Sequence, residues 1–359
     1  MTTERRPPAR RIPVAILGAT GAVGQTFIRC LRDHPWFEIA ELAASERSAG
    51  KPYREATRWL EGQLPDALAD RVVLPCDPAK LSAPIVFSAL DAAAAGDLEP
   101  AFARSGALVL SNAKNFRMDP DVPLVIPEVN ASHLALLETQ RQSRGWAGGI
   151  VTNANCAATV ATVALAPLHV AFGVRQVFAV TMQAVSGAGY PGVPSLDILG
   201  NVIPYIGEEE PKIEREMPKM LGCVEGGALV PAPMRVSAHA NRVAVEHGHT
   251  VCMSVKFEQS PSPEDALRVL SEWRGDPTVR GLPSAPERVL LVTDAPDRPQ
   301  PRRDVGTGAG MTVVVGRVRS DPQLDLRLVA LGHNTIRGAA GGSVLNAELL
   351  VATGVISRA

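Results

Sequence analysis

The stretch Thr152-Asn153-Ala154-Asn155-Cys156-Ala157-Ala158-Thr159-Val160 puts a cysteine where a short strand-like run, Gly149-Ile150-Val151, gives way to an apolar, alanine-rich segment continuing to Pro167. That segment reads as a buried helix with Asn155 as its N-cap and Cys156 in its first turn. A thiol there feels the positive end of the helix dipole and nearby backbone N–H groups, both of which favour the thiolate. The same N–H groups can hold a developing oxyanion, so one position offers a nucleophile and an oxyanion hole together. The alternative is a buried structural cysteine, the common fate of a free thiol.

The elements that must position such a site begin near the N-terminus. Ile12 to Leu17 is a continuous apolar run, followed at once by Gly18-Ala19-Thr20-Gly21-Ala22-Val23-Gly24 and a helical pattern to Arg32. Strand, glycine turn and helix in that order fit a dinucleotide-binding turn, although the spacing is GxxGxxG rather than the commoner GxGxxG. A plain strand–helix turn is the alternative. A second strand, Glu38 to Ala43, ends in Ala44-Ser45-Glu46-Arg47-Ser48. Arg47 with Ser45 and Ser48 suits a ribose 2′-phosphate and so NADP; Glu46 keeps NAD open, and a solvated charged loop is the bland reading.

After an excursion from Pro52 to Lys80, strands are expected at Ile85–Leu90, Ala107–Leu110 and Leu124–Ile126. Helices are expected over Ala92–Ala103 and Ala131–Gln142. This alternation signals a doubly wound parallel sheet. Beyond the Cys156 helix the pattern changes to strands at Val174–Val185, Val243–Val245, Thr250–Phe257, Val289–Val292, Met311–Val318 and Leu326–Leu331, with a helix near Pro263–Trp273. The expected fold is α/β: a Rossmann-type doubly wound domain over 1–155, plus an α+β domain over 156–334 with a largely antiparallel sheet. A Gly/Ala-rich helix within about 335–359 returns to the first domain.

The 359 residues are 46% hydrophobic and 20% charged with a net charge of −1, a globular composition without the basic stripe that nucleic acid requires. No apolar run reaches the ~18 residues of a membrane-spanning helix. Met1 to Arg11 reads as a disordered leader. Five cysteines (30, 76, 156, 223 and 252) without CxxC spacing suit reduced thiols in a cytoplasm. Cys30, Cys76 and Cys223 have no adjacent base and read as structural; Cys252 reads as a packed strand position.

Taken together, these motifs resemble those of the aspartate-semialdehyde dehydrogenase family, in its archaeal and fungal branch. The resemblance runs from Gly18-Ala19-Thr20-Gly21 through Asn153-Ala154-Asn155-Cys156, Gln183-Ala184-Val185-Ser186-Gly187 and Asn201-Val202-Ile203-Pro204 to Asn334-Thr335-Ile336-Arg337-Gly338. It implies NADPH-dependent reduction of β-aspartyl phosphate to aspartate semialdehyde, in amino-acid biosynthesis from aspartate. Cys156 is then the nucleophile, His249 the acid–base group and Gln183 the residue that positions the acyl group. Arg242 clamps the substrate carboxylate, Glu209 faces its amine, and Lys212 and Arg117 serve phosphate. Ser186, Gly187 and Asn334 fall on cofactor contacts, beside Gly18, Thr20, Gly21, Val23 and Gly24. The resemblance also implies a homodimer or homotetramer acting on small molecules, and the composition above argues against nucleic acid or a membrane as partner.

Residue types support these roles apart from the name. A thiolate can displace phosphate to give a thioester, and an arginine grips a carboxylate bidentately. For Glu209 and Lys212 an ordinary helical ion pair three residues apart is the alternative reading. Departures from the family pattern are Ala154, Ala240, Ala244 and His247; His247 is expected to depress His249 by like-charge repulsion. His239, His247 and His249 lack the partner a metal would need, so no metal is expected. Two rivals stand: a malonyl-CoA reductase on the same scaffold, and a catalytically silent NADP-binding paralogue.

Overall fold

The computed structural model describes residues 8–356; residues 1–7 of the expected leader and 357–359 of the expected C-terminal helix lie outside the described residues. The strands are β1 (Ile12–Leu17), β2 (Phe37–Ala44), β3 (Leu74–Pro75), β4 (Ile85–Ser88), β5 (Leu108–Ser111), β6 (Gly149–Thr152) and β7 (Val174–Gln183), then β8 (Cys223–Glu225), β9 (Ala228–Val230), β10 (Arg235–Arg242), β11 (His249–Phe257), β12 (Leu290–Thr293), β13 (Val313–Ser320) and β14 (Leu326–Gly332). The helices are α1 (Ala22–Leu31), α2 (Tyr53–Ala56), α3 (Asp66–Ala69), α4 (Ala92–Arg104), α5 (Pro127–Asn130) and α6 (Leu136–Arg144), then α7 (Cys156–Phe172), α8 (Ser195–Ile198), α9 (Glu209–Met220), α10 (Pro263–Glu272), α11 (Pro301–Asp304) and α12 (Gly341–Ala352).

The first sheet runs β3-β2-β1-β4-β5-β6 with every pairing parallel. Its strands are buried on both faces, which is why Ile12–Leu17 and Ile85–Ser88 read as unbroken apolar runs rather than alternating ones. One face packs Val14, Ile16 and Phe87 against Phe27 of α1 and Val344 to Val351 of α12. The other packs Ala15, Val86 and Val109 against Phe102 and Ala103 of α4. Strand order reverses between β1 and β4, and the crevice outside the carboxyl ends at such a point is where this architecture binds ligands. Two glycines make the turn possible. Gly18 sits at φ +71° with Ala89 O only 2.6 Å from where a Cβ would lie, and at Gly24 a Cβ would lie 2.2 Å from Gly18 O.

The second sheet runs β10-β7-β11-β14-β13-β12. It is mixed: β7–β11, β11–β14 and β13–β14 pair antiparallel, whereas β10–β7 and β12–β13 pair parallel. Helices α7, α9 and α10 bury one face around Val160, Leu165, Ile213, Met217 and Leu270. On the other face Phe178 lies exposed against His239, ring centroids 5.6 Å apart.

Several boundaries differ from the sequence reading. Leu124–Ile126 is no strand; Leu124 makes a single parallel bridge to Thr152. Val243–Val245 is a turn past the end of β10, a strand the reading missed because Arg235–Arg242 is polar and edge-located. Ala131–Gln142 divides into a 3₁₀ turn over Ala131–Ala135 and α6. Helix α7 passes through Pro167 to Phe172: complete burial of Ala157 to Leu168 outweighs the one backbone bond a proline removes. The Pro52–Lys80 excursion holds α2, α3 and the edge strand β3.

Candidate active site

Cys156 opens α7 immediately past the carboxyl end of β6. Asn155 caps that helix, its Oδ1 accepting from the amides of Ala157 at 3.0 Å and Ala158 at 2.9 Å. The cap therefore occupies two of the first-turn amides that the sequence offered as an oxyanion hole, those of Ala157 and Ala158, and not that of Cys156. On the facing side, register brings the chemistry together. Arg242 of β10 pairs beside Gln183 of β7, and Thr250 of β11 lies opposite Met182. Arg242, Gln183 and His249 thus share one end of the second sheet.

His249 Nε2 lies 3.1 Å from Cys156 Sγ, while its Nδ1 accepts from the amide of Ala184 at 3.1 Å. An acceptor at Nδ1 leaves the proton of the neutral ring on Nε2, pointing at the sulfur. Burial first, then Arg242 among the nearby charges, pushes the imidazole down to about 3 despite the opposing Glu209. Burial also pushes the Cys156 thiol up to about 12, with Glu209 adding to it and Arg117, the Ala157 amide and Arg242 opposing. Desolvation thus works against the thiolate that the helix terminus and the Ala157 amide favour.

His247 does not act on His249 as expected. Its ring stacks on His333, centroids 4.9 Å apart, and its Nδ1 lies 3.0 Å from Ser186 Oγ. It is His333 that is pushed down to about 4, by burial first and then by His247. Among the described residues no cluster of three metal-ligating side chains exists.

Arg242 donates from Nη1 to Ala184 O at 2.7 Å, so one residue, Ala184, orients both the arginine and the histidine. Glu209, the first residue of α9, accepts from Asn155 Nδ2 at 2.6 Å and from Lys212 Nζ at 3.3 Å. Burial alone would raise its carboxyl, but hydrogen bonds from Asn155 and Gln183 and the Lys212 charge hold it below the usual carboxylate range. The helical ion pair therefore exists, and both partners also line the cleft.

A cleft of about 500 Å³ joins Cys156, Gln183, Glu209 and Arg242 to Val23 on α1 and to Ser186, Gly187 and Asn334. Asn334 bridges Ser186 Oγ at 2.8 Å and the amide of Gly248 at 2.9 Å. The residues fit a dinucleotide. Helix α1 has Gly21 as its N-cap, so no side chain caps it and its first-turn amides are left to an anion. Thr20 lies in the turn itself, its carbonyl held by Gln25 Nε2 at 3.0 Å. Ser45 and Arg47 are exposed past the end of β2, with Ser48 partly so.

Residues 13–137 match the family of semialdehyde dehydrogenase NAD binding domains, and residues 165–337 that of semialdehyde dehydrogenase dimerisation domains. An aspartate-semialdehyde dehydrogenase of Archaeoglobus fulgidus is 49% identical over 96% of this chain and 100% of its own length. That of Schizosaccharomyces pombe is 48% identical over 96% and 99%. The chain belongs to the aspartate-semialdehyde dehydrogenase family. A crystal structure of the Candida albicans enzyme with NADP superposes with a TM-score of 0.89 at 44% identity, covering 97% of this chain and 100% of that one. No helix among the described residues is long and apolar enough to cross a membrane.

Sequence reasoning missed three residues of the site. Glu216 and Lys219 of α9 are buried beside it, at i+7 and i+10 from Glu209, a helical spacing that the charged segment displayed openly. Gly338 presses on the nucleophile: a Cβ there would lie 2.6 Å from Cys156 Cβ. Among the other cysteines, all are free, but Cys223 is exposed with Glu225 3.3 Å from its sulfur, so it is neither packed nor without a neighbouring carboxylate.

Proposed function

We propose that the chain catalyses the NADPH-dependent conversion of β-aspartyl phosphate to aspartate semialdehyde and phosphate through a thioester on Cys156. The observation that carries this reading is the 3.1 Å contact between Cys156 Sγ and His249 Nε2, in a cleft that also holds Arg242 and Glu209. The sulfur attacks the acyl carbon as its proton passes to the departing phosphate, the C–O bond to phosphate breaks, and phosphate leaves toward Arg117 and Lys212. The cofactor, when bound, supplies the hydride that reduces the thioester. The C–S bond then breaks as the aldehyde forms, and His249 donates from Nε2 to the leaving sulfur and regains its proton from solvent. Arg242 binds the α-carboxylate through its fork of donors, Glu209 the ammonium group, and Gln183 the acyl group.

Gly18, Thr20, Gly21, Val23 and Gly24 form the dinucleotide turn in this proposal, with Ser45, Arg47 and Ser48 at the 2′-phosphate and Ser186, Gly187 and Asn334 at the nicotinamide end. Residues 1–155 with 335–359 constitute the NADP-binding domain and 156–334 the catalytic and dimerisation domain. The packing of α12 against the first sheet and of α7 against the second supports that division. The match to a dimerisation domain favours a self-associating chain, and we assign a homodimer or homotetramer. Five free thiols suit a cytoplasmic enzyme.

The test is the reverse reaction: aspartate semialdehyde, inorganic phosphate and NADP, with NADPH followed by absorbance, on the wild type and Cys156→Ala. Phosphate-dependent NADPH formation that the substitution abolishes is expected. Turnover with malonyl-CoA in place of the phosphorylated substrate would move the assignment to a reductase of thioesters.

A further inference from the structure

The inner face of α9 carries four charged side chains in register: Glu209, Lys212, Glu216 and Lys219. The first two belong to the site as proposed. Glu216 is 2% exposed and makes two bonds of different kinds. Its Oε2 accepts from the backbone amide of Asn155 at 2.5 Å, and its Oε1 accepts from Arg117 Nη1 at 3.0 Å. One carboxylate thus touches the residue that caps the nucleophile's helix and the arginine expected to meet phosphate. Lys219, one turn on, donates from Nζ to the carbonyls of Arg117, Asp119 and Val122 at 2.7–2.8 Å and fixes the loop that carries Arg117.

Arg117 has its other terminal nitrogen, Nη2, on Asn112 O at 2.8 Å, while its Nε is buried without a partner. A buried N–H left open is costly unless something polar meets it. Beside it a pocket of about 290 Å³ is lined by Lys114, Arg117, Lys212 and Arg215, with the carboxylates of Glu208 and Glu216 also on its wall. Arg117 is therefore held from behind by Glu216 and Lys219 at the wall of a pocket in which four cations outnumber two carboxylates.

We propose that Glu216 is a positioning residue that sets the phosphate-side Arg117 and the head of the Cys156 helix from a single carboxylate. It touches neither the sulfur nor the substrate, and it acts on phosphate through Arg117. The proposal rests on reading this site as one that releases or takes up phosphate.

Two substitutions separate its two bonds. Glu216→Gln keeps a carbonyl oxygen for the Asn155 amide but turns an N–H toward Arg117, so only the phosphate side is disturbed. Glu216→Leu removes both. For Glu216→Gln we expect the KM for phosphate in the reverse reaction to rise roughly tenfold, a coupling in the range of residues sharing one network. The KM for aspartate semialdehyde, held by Arg242 and Glu209, stays within about twofold, as does kcat at saturating phosphate. Glu216→Leu lowers kcat as well. Combining Glu216→Gln with Arg117→Gln adds nothing to the phosphate KM of Arg117→Gln alone. A purely structural role would instead move both KM values together, or add fully in the double variant; either result overturns the proposal. Should Glu216→Gln fail to fold, Glu216→Asp keeps the charge without the reach and gives a smaller, equally selective rise. If the wild type shows no phosphate-dependent turnover, the functional reading fails, and calorimetry with inorganic phosphate decides this point separately. Roughly tenfold weaker binding in Glu216→Gln sustains it; equal binding, or none in the wild type, ends it.

Discussion

Two helix N-termini face the cleft, and they are built in opposite ways. At α1 the N-cap is Gly21, which has no side chain to offer, so the first-turn amides stay available to an outside anion. At α7 the N-cap is Asn155, whose side chain takes the amides of Ala157 and Ala158 for itself. Both termini carry a positive potential, but the first leaves its whole first turn to a ligand whereas the second gives two of its amides to its own cap. The second is closed, held from outside by Glu209 and Glu216, and presents a side chain, Cys156, in place of its backbone. A helix N-terminus is therefore a binding site or a mounting for a nucleophile according to its cap.

The largest effect belongs to the mounted side chain. Cys156→Ala should lower turnover by ~10⁴-fold or more, as removal of a covalent nucleophile does, while leaving NADP affinity at the α1 end within about twofold. Fluorescence titration of NADP beside the kinetic assay checks both halves. A parallel loss of NADP binding would mean that the two termini do not act separately.

His249→Gln should cost about 10²–10⁴-fold in kcat. It also changes the response to acid. The free imidazole titrates at 6.5, and in the folded chain it is pushed down to about 3. Between those values the unfolded chain binds a proton that the native chain refuses, so this group's contribution to stability is present above pH 6.5 and fades as pH falls toward 3. Melting temperature in the wild type should thus decline over that interval, and less steeply in His249→Gln. His333, pushed down to about 4, leaves part of the slope in place in both proteins.

Gly24→Ala tests the open terminus. A Cβ there lies 2.2 Å from Gly18 O, so β1 and α1 must part. Overpacking of this kind costs about 1–3 kcal/mol and should weaken NADP binding while leaving the alkylation rate of Cys156 unchanged. Denaturant unfolding, dinucleotide titration and iodoacetamide labelling read the three quantities independently.

How much of this was legible in the chain follows the same division. The α1 terminus is local: strand, glycines and helix lie within one stretch, and the sequence displays them in order. The α7 terminus was legible in its cap and its cysteine, but not in its electrostatics. Whether a thiol is activated depends on burial and on Glu209, 53 residues away in sequence, and neither is visible in the residues next to Cys156. His249 and Arg242 reach the cysteine only through the register of β7, β10 and β11, so their places came from resemblance rather than spacing. Strand β10 escaped notice because an edge strand need not alternate, and His247 was assigned a neighbour in sequence when its neighbours in space are His333 and Ser186.

The smallest effect probes the cap itself. Asn155→Ala should cost roughly 1 kcal/mol of stability, the usual price of losing an N-cap side chain. It frees the amides of Ala157 and Ala158 and takes from Glu209 the 2.6 Å hydrogen bond that helps to keep its carboxylate charged. The carboxyl of Glu209 should therefore titrate higher. Since Glu209 is proposed to meet the substrate ammonium as an anion, kcat/KM for aspartate semialdehyde should decline at a higher pH on the acid side than in the wild type. With its first-turn amides open, α7 would then resemble α1, and inorganic anions should begin to compete with substrate. A variant that loses the expected stability but gains neither the displaced acid limb nor sensitivity to anions would show that Lys212 and Gln183 alone suffice for Glu209, and that something other than the cap keeps α7 closed.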